Sequence, residues 1–282
     1  MGLSVAVLRH VDFRRLLCAR TFGMFGLQAQ AVIVGWQVYT LTHDVFMLGL
    51  VGLTEAIPAI ICSFFSGHIV DISRPHRVYC LALGALATIS LGLLLVAGGF
   101  VSFATHHQLW FIFASIFLSG VARSFIVPAS FTLLSRIVPK SNIPAASAWM
   151  SSGFQFAAIS GPAAAGLIYG GYGAHVAWVI PFSALTLALV MAVSISTSHR
   201  QYRGNEKREP AMVSIKAGWT FIFGNRTLLS IMSLDMFAVL FGGAVAILPA
   251  FADQVLHLGS EGLGLLRAAP AIGSICMALF LA

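Results

Sequence analysis

Apolar residues form eight long stretches along the chain, separated by short polar connections. About 20 apolar residues in a helix, at about 1.5 Å rise per residue, cross the hydrocarbon core of a bilayer. The pattern therefore predicts an all-α polytopic membrane protein. The predicted segments, numbered 1 to 8 in chain order, are residues 16–41, 46–70, 78–100, 109–131, 146–169, 176–196, 228–251 and 262–282.

Lys and Arg occur at the N-terminus and in every second connection, after segments 2, 4 and 6. The connections that follow segments 1, 3, 5 and 7 contain neither residue. By the positive-inside rule, the N-terminus and the basic connections are predicted to be cytoplasmic, and the others to face outward. The basic residues concerned are Arg9, Arg14 and Arg15, then Arg74 and Arg77, then Arg136 and Lys140, and finally Arg200, Arg203, Lys207, Arg208 and Lys216.

Composition supports the membrane assignment and limits the chemistry. With 59% hydrophobic and 9% charged residues, the chain is not expected to fold as a soluble domain. The net charge of +7 lies in connections beside the anionic inner leaflet, so a nucleic-acid partner is not expected. The sequence has no phosphate-binding loop, zinc-protease motif or nucleophile elbow. We therefore predict no catalytic residue, metal or cofactor, and no enzymatic activity.

One long polar connection divides the chain. Residues 197–214 are charged and contain Gly204 and Pro210, a composition typical of a flexible linker. We predict an N-terminal six-helix bundle at 1–196, a cytoplasmic linker at 197–214, and part of a second bundle at 215–282. Apolar residues at helical spacing after the linker indicate a short interfacial helix, or else an extension of segment 7.

Two acids stand inside predicted segments. Glu55 lies in segment 2 and Asp235 in segment 7, and a charge at the centre of a membrane costs about 2.5–3.5 kcal/mol on insertion scales. Such residues are candidates for proton-coupling sites, although each can also serve as a structural hydrogen-bond acceptor. Gln28 in segment 1 is a weaker candidate for a substrate cavity, because membrane amides more often bind neighbouring helices.

Several motifs resemble the major facilitator superfamily of secondary transporters. Between segments 2 and 3, Gly67, Asp71 and Arg77 match its cytoplasmic signature, with Ile72 in place of an expected arginine. Gly161 and Pro162 match the Gly-Pro motif associated with its antiporters. Residues 233–273 resemble the seventh and eighth helices of the bacterial branch that contains the enterobactin exporter.

The resemblance implies roles for Arg123 and Asp235 and a number of spanning helices for the complete protein. It ties Arg123 in segment 4 to proton coupling or anionic substrate, although this long side chain can also extend to the membrane interface. It makes Asp235 part of a helix that lines the central cavity. Family members have twelve spanning helices, so the chain is expected to be truncated after about eight of them, inside segment 8.

Small residues recur every four positions in segment 5, at Gly153, Ala157, Gly161 and Ala165. The resemblance implies that this ridge meets segment 8, where Ala269 and Gly273 offer a matching surface, and permits the rocking of alternating access. The alternative is ordinary close packing within one bundle.

Taken with the resemblance, these observations predict a multi-pass protein of the bacterial inner membrane that exports small amphipathic molecules in exchange for protons. The expected partners are the substrate, protons and the lipid bilayer, with the missing half or a second copy completing the fold. The alternatives are a siderophore or metabolite exporter, an uptake symporter, and a truncated protein inactive in transport.

Overall fold

The fold is built from helices joined by short connections. A computed structural model describes residues 7–99, 105–196, 220, 223–241, 245 and 247–281, and within them it contains helices and no strand. This confirms the all-α prediction. In chain order the helices are α1 (Val11–Thr42), α2 (Val45–Ile72), α3 (Pro75–Ala97), α4 (Thr105–Ile137), α5 (Ile143–Ala177), α6 (Val179–Val193), α7 (Arg226–Phe241), α8 (Leu248–Gln254) and α9 (Ser260–Leu281).

The first four helices correspond to segments 1 to 4. Each of α1, α2, α3 and α4 is long and apolar enough to cross a membrane. The boundary between α1 and α2 follows from local chemistry, because Asp44 caps α2 by accepting a hydrogen bond of 2.8 Å from the N–H of Phe46. Pro75 begins α3, a position where its missing N–H costs no helical bond.

Segments 5 and 6 meet at a sharp bend. Helices α5 and α6 are bent by 73° relative to each other, and Gly173 near the end of α5 has φ 81° and ψ 178°. This backbone conformation is open to glycine and strained for other residues. The bend lies where α5 ends at Ala177 and α6 begins at Val179, about one turn after Gly173.

The second half of the chain is described in part. Segment 7 corresponds to α7 and α8, and segment 8 to α9. The predicted linker at 197–214 lies outside the described residues, as does the predicted interfacial helix at 215–222 apart from residue 220.

Helix α1 occupies the centre of the packing. It contacts α5 and α6 along its length, while α4 packs against α2 and α3, and α9 packs against α5. One apolar cluster surrounds the first half of α1, and a second surrounds its later half. Leu263 of α9 is fully buried in the second cluster, together with Ile33 and Trp178. Helix α9 is thereby joined to the core of the first six helices.

The two ends of the bundle differ in which connections they carry. At one end, Arg15 donates a hydrogen bond of 2.6 Å to the carbonyl of Ser194, and a ring nitrogen of His76 lies 2.8 Å from the carbonyl of Ala192. At the other end, the hydroxyl of Tyr39 donates to Asp253 across 3.1 Å. The basic connections thus gather at one end, as alternate crossings require. Which end is cytoplasmic stays a prediction.

Candidate functional site

Glu55 and Arg123 form an ion pair between α2 and α4. Nη1 of Arg123 donates to Oε1 of Glu55 across 2.6 Å, and both side chains are about two-thirds buried, with exposed fractions of 36% and 32% for Arg123 and Glu55. The sequence identified both residues as candidates, and the structure brings them together.

Gly120 allows the two helices to approach closely enough for this pair. A Cβ at Gly120 would overlap the backbone carbonyl of Glu55 and lie 3.0 Å from Cγ of Pro58. Arg123 follows Gly120 by three residues, so both lie on the same face of α4. The glycine therefore sets the distance at which the guanidinium meets the carboxylate.

A cavity of about 130 Å³ lies beside this pair. Its walls come from α1, α2, α4 and α9, so it lies where α9 meets the first bundle. Apolar side chains form most of the wall, and four polar residues interrupt it. The lining residues are Leu27, Gln30, Ala31, Val34, Gly35, Leu48, Val51, Gly52, Glu55, Ile116, Ser119 and Arg267.

Gln30 is the polar residue that α1 contributes to the cavity wall. Its exposed fraction is 6%, and its Nε2 donates a hydrogen bond of 3.2 Å to the hydroxyl of Ser119 on α4. Its Oε1 is buried and has no hydrogen-bond partner among the described residues. An unsatisfied buried acceptor costs about 1–3 kcal/mol, and no described residue supplies the donor that would remove this cost.

Arg267 extends from α9 across the cavity towards α1. Its Nη2 lies 3.7 Å from the position that a Cβ on Gly35 would take, which is ordinary van der Waals distance. Its Nε is buried without a hydrogen-bond partner in the described part of the chain. Glu55, in the same wall, attracts the guanidinium electrostatically. Arg267 therefore faces the cavity.

Comparison with known proteins identifies the family. Residues 16–282 match the Major Facilitator Superfamily. The chain belongs to this superfamily. It is also 26% identical over 271 residues to YjbB of Bacillus subtilis (strain 168), an uncharacterized MFS-type transporter, covering 92% of this chain and 63% of that protein. The chain thus spans less than two thirds of this relative's length.

Membership has direct consequences for the class of the protein. Major facilitator proteins are multi-pass membrane transporters of small molecules, so membership assigns the chain to a family of transporters rather than of enzymes. A transport cavity in this superfamily lies between two sets of helices. The cavity at Glu55 is bounded by α1, α2 and α4 of the first bundle and by Arg267 of α9.

Gln28 is not among the residues that line this cavity. Gln28 packs against α5, where its Cβ lies 3.0 Å from the position that a Cβ on Gly161 would take, and Gln30 is the glutamine that lines the cavity. Asp235 lies in α7, but its side chain is outside the described part of the structure. Its role, like that of Gln28, stays a prediction.

The major facilitator signature residues lie at the basic end. Gly67 and Asp71 lie in the last turns of α2, and Arg77 lies in the first turn of α3. They flank the short connection at Ser73 and Arg74. Their part in conformational change stays a prediction.

The small-residue ridge of α5 contacts a different helix from the one expected. A Cβ on Gly161 would lie 2.9 Å from the carbonyl oxygen of Phe25, and a Cβ on Gly153 would overlap the hydroxyl of Thr21. Both contacts are with α1 inside the first bundle, so the ridge serves close packing there. Pro162, beside Gly161, is buried in the same helix.

The contact between α5 and α9 uses another pair of glycines. A Cβ on Gly166 would overlap the carbonyl of Ser260, and a Cβ on Gly264 would lie 2.6 Å from the carbonyl of Pro162. A Cβ on Gly273 would meet nothing within 4 Å among the described residues, and Ala269 is exposed. Segments 5 and 8 therefore meet as expected, since α5 packs against α9. The prediction that Ala269 and Gly273 form the contact surface was wrong, because Gly264 lies at the contact instead.

Arg20 is a charged residue that the sequence pattern did not single out. Its Nη1 donates to the hydroxyl of Ser130 across 2.5 Å, and its guanidinium carbon lies 5.0 Å from the ring centre of Phe131. The sequence did contain a signal for its role, because Arg20 lies inside apolar segment 1. It was not singled out because Arg14 and Arg15 lie just before it in the N-terminal basic group. The contacts with Ser130 and Phe131 show that it joins α1 to α4.

Proposed function

We propose that the protein exports small amphipathic molecules in exchange for protons, by alternating access, in a bacterial plasma membrane. The observation that carries the proposal is the Glu55–Arg123 ion pair beside a cavity bounded by both the first bundle and α9. The pair supplies a group that can gain and lose a proton, and the cavity supplies a place for substrate.

The coupling follows from the cost of an unpaired charge in the membrane. While Arg123 holds Glu55 at 2.6 Å, the ionised carboxylate is stabilised. A movement that separates the two would leave the carboxylate unpaired, at a cost of about 2.5–3.5 kcal/mol on insertion scales, and protonation removes that cost. Proton uptake at Glu55 is thereby linked to the relative position of α2 and α4.

Alternating access requires the cavity to open towards each side in turn. Its wall contains Arg267 from α9, and α9 crosses α5 at Gly166 and Gly264 with little between the two backbones. Smooth crossings of this kind allow one helix to move against another without side-chain interlocking. Asp235 on α7 is proposed as a second protonation site, and the outward direction rests on the Gly161–Pro162 resemblance.

Transport in inside-out vesicles tests the proposal. The protein, expressed from its complete reading frame, is reconstituted, and a pH gradient with the acidic side inside is imposed. Amphipathic cationic, neutral and anionic fluorophores are then offered outside. Exchange predicts that a substrate accumulates inside as protons leave, and that Glu55→Gln abolishes accumulation with normal insertion.

A matched variant controls for loss of an acidic side chain. Asp44→Asn removes a carboxylate from the start of α2, and asparagine also caps helices, so transport should remain at the wild-type rate. Accumulation at the wild-type rate in both Glu55→Gln and Asp235→Asn across the neutral pH range would show that neither acid carries the proton. Substrate movement in the same direction as the protons would establish an uptake symporter instead.

A further inference from the structure

We propose that the cavity between α1, α2, α4 and α9 binds a carboxylate group of the transported molecule at Arg267, while Gln30 accepts a hydrogen bond from a hydroxyl or amine of the same molecule. The inference rests on the proposed function in one respect, since it takes the bound ligand to be the transported molecule. On this basis the substrates are organic acids.

Charge is the first argument. Glu55 is the acid in the described cavity wall, and its carboxylate is already bound by Arg123 at 2.6 Å. Arg267 forms no ion pair within 4.0 Å with the described residues, although Glu55 attracts it from the same wall. Two guanidinium groups and one carboxylate leave an excess positive charge, which an anionic ligand neutralises.

Hydrogen bonding is the second argument. Buried polar groups in folded proteins nearly always have partners, so an unpaired donor and an unpaired acceptor around one cavity indicate a ligand with both complements. Here the unpaired donor is Nε of Arg267 and the unpaired acceptor is Oε1 of Gln30. A guanidinium binds a carboxylate through two parallel hydrogen bonds, a geometry that matches its planar fork. The oxygen of Gln30 requires a donor close to that carboxylate.

Size and polarity set the rest of the ligand. A cavity of about 130 Å³ is smaller than the roughly 300–1,000 Å³ typical of drug-sized ligands. It accommodates a short organic acid, or the acid end of a longer molecule. Its apolar wall, formed by side chains such as Leu27, Leu48 and Ile116, suits a short hydrocarbon chain next to the carboxylate.

Binding to the purified full-length protein tests this site without transport. Three small probes separate the contribution of charge to the affinity from that of the hydrogen-bond donor. Butyrate carries the charge, 3-hydroxybutyrate adds a hydroxyl donor, and butyramide replaces the carboxylate with a neutral amide. Isothermal titration calorimetry should give an affinity for 3-hydroxybutyrate above that for butyrate, and weak binding of butyramide. Arg267→Gln should lower the affinity for both acids by about tenfold or more, because charge-assisted hydrogen bonds are lost.

Two further variants separate the site from general effects. Arg14→Gln removes an exposed arginine at the basic end and should leave all three affinities unchanged. Gln30→Leu should remove the preference for 3-hydroxybutyrate while retaining butyrate binding, and it tests the same site if Arg267→Gln does not purify as a monodisperse protein. Equal affinities for butyrate and butyramide in the wild type would overturn the proposal, as would acid binding unaffected by Arg267→Gln.

The outcomes distinguish this inference from the proposed function. Acid binding that depends on Arg267, with no proton movement in vesicles, would support the site and overturn proton exchange. Proton-driven accumulation of amphipathic cations at an unchanged rate in Arg267→Gln would overturn the carboxylate subsite and support proton exchange.

Discussion

Arg123 of α4 donates a hydrogen bond to Glu55 of α2 across 2.6 Å. Glu55 lies ten residues after Val45, which begins α2, so the pair is about 15 Å along the helix from that end. Each charge removes most of the cost of placing the other inside the membrane. The pair therefore couples α2 and α4 electrostatically, at a depth where an unpaired charge is costly.

A double-mutant cycle should reveal this coupling. Glu55→Gln leaves Arg123 without its carboxylate and should destabilise the protein by up to about 2.5–3.5 kcal/mol, the cost of a charge at membrane depth. Glu55→Gln combined with Arg123→Gln should recover much of the loss, giving a coupling energy of about 0.5–3 kcal/mol. Thermal unfolding of the purified protein in detergent measures each variant. Strictly additive effects would show that the ion pair contributes no interaction energy.

Gly166 should be intolerant of even a methyl group. In Gly166→Ala the new Cβ overlaps the carbonyl of Ser260, so α5 and α9 must separate at an expected cost of about 1–3 kcal/mol. Gly171→Ala is the matched control, because a Cβ at Gly171 meets nothing within 4 Å in the described structure.

Thiol crosslinking reports the same contact directly. Nε2 of Gln155 on α5 donates to the hydroxyl of Ser274 on α9 across 2.5 Å. Cysteines at these two positions, with the native cysteines replaced, should be joined in high yield by a short bifunctional thiol reagent in the otherwise wild-type protein and in Gly171→Ala, and poorly in Gly166→Ala. Equal yields in all three would mean that the two helices do not depend on the close approach at Gly166.

The spans were predictable because a bilayer imposes one length and one polarity on every crossing. Segments 1 to 4 match α1 to α4 within several residues at most ends. The acid and the arginine of the ion pair were also recognisable, since charges inside apolar segments are rare. Their pairing was not, because helical periodicity gives the face of each residue and not the helix opposite it.

The faces used in helix packing were the least predictable feature. Small residues every four positions in α5 correctly indicated close approach, but the sequence does not specify whether α1 or α9 occupies that side. The structure assigns Gly161 to α1 and Gly166, five positions later, to α9. Arg267 presented the same problem, since its long side chain can extend to the interface or into a cavity.

The hydrogen bond between Trp178 and Gln37 should contribute to stability at the bend after α5. Nε1 of Trp178 donates to Oε1 of Gln37 across 2.9 Å, and both residues are buried. Trp178→Phe leaves that oxygen without a donor, at a cost of about 1–3 kcal/mol. Adding Gln37→Leu should recover part of the loss, because replacing both partners by apolar groups is nearly neutral. A larger loss in the double variant, measured by thermal unfolding, would contradict this explanation.

Labelling of single cysteines should establish the orientation. Gly171 and His257 lie near connections without Lys or Arg, whereas Arg77 and Lys140 lie at basic connections. All four are exposed in the structure, so burial does not explain a difference in labelling. A membrane-impermeant maleimide added to intact cells should label cysteines at Gly171 and His257 and spare those at Arg77 and Lys140, because basic connections remain cytoplasmic. Permeabilised cells should label all four, and the opposite pattern in intact cells would reverse the orientation.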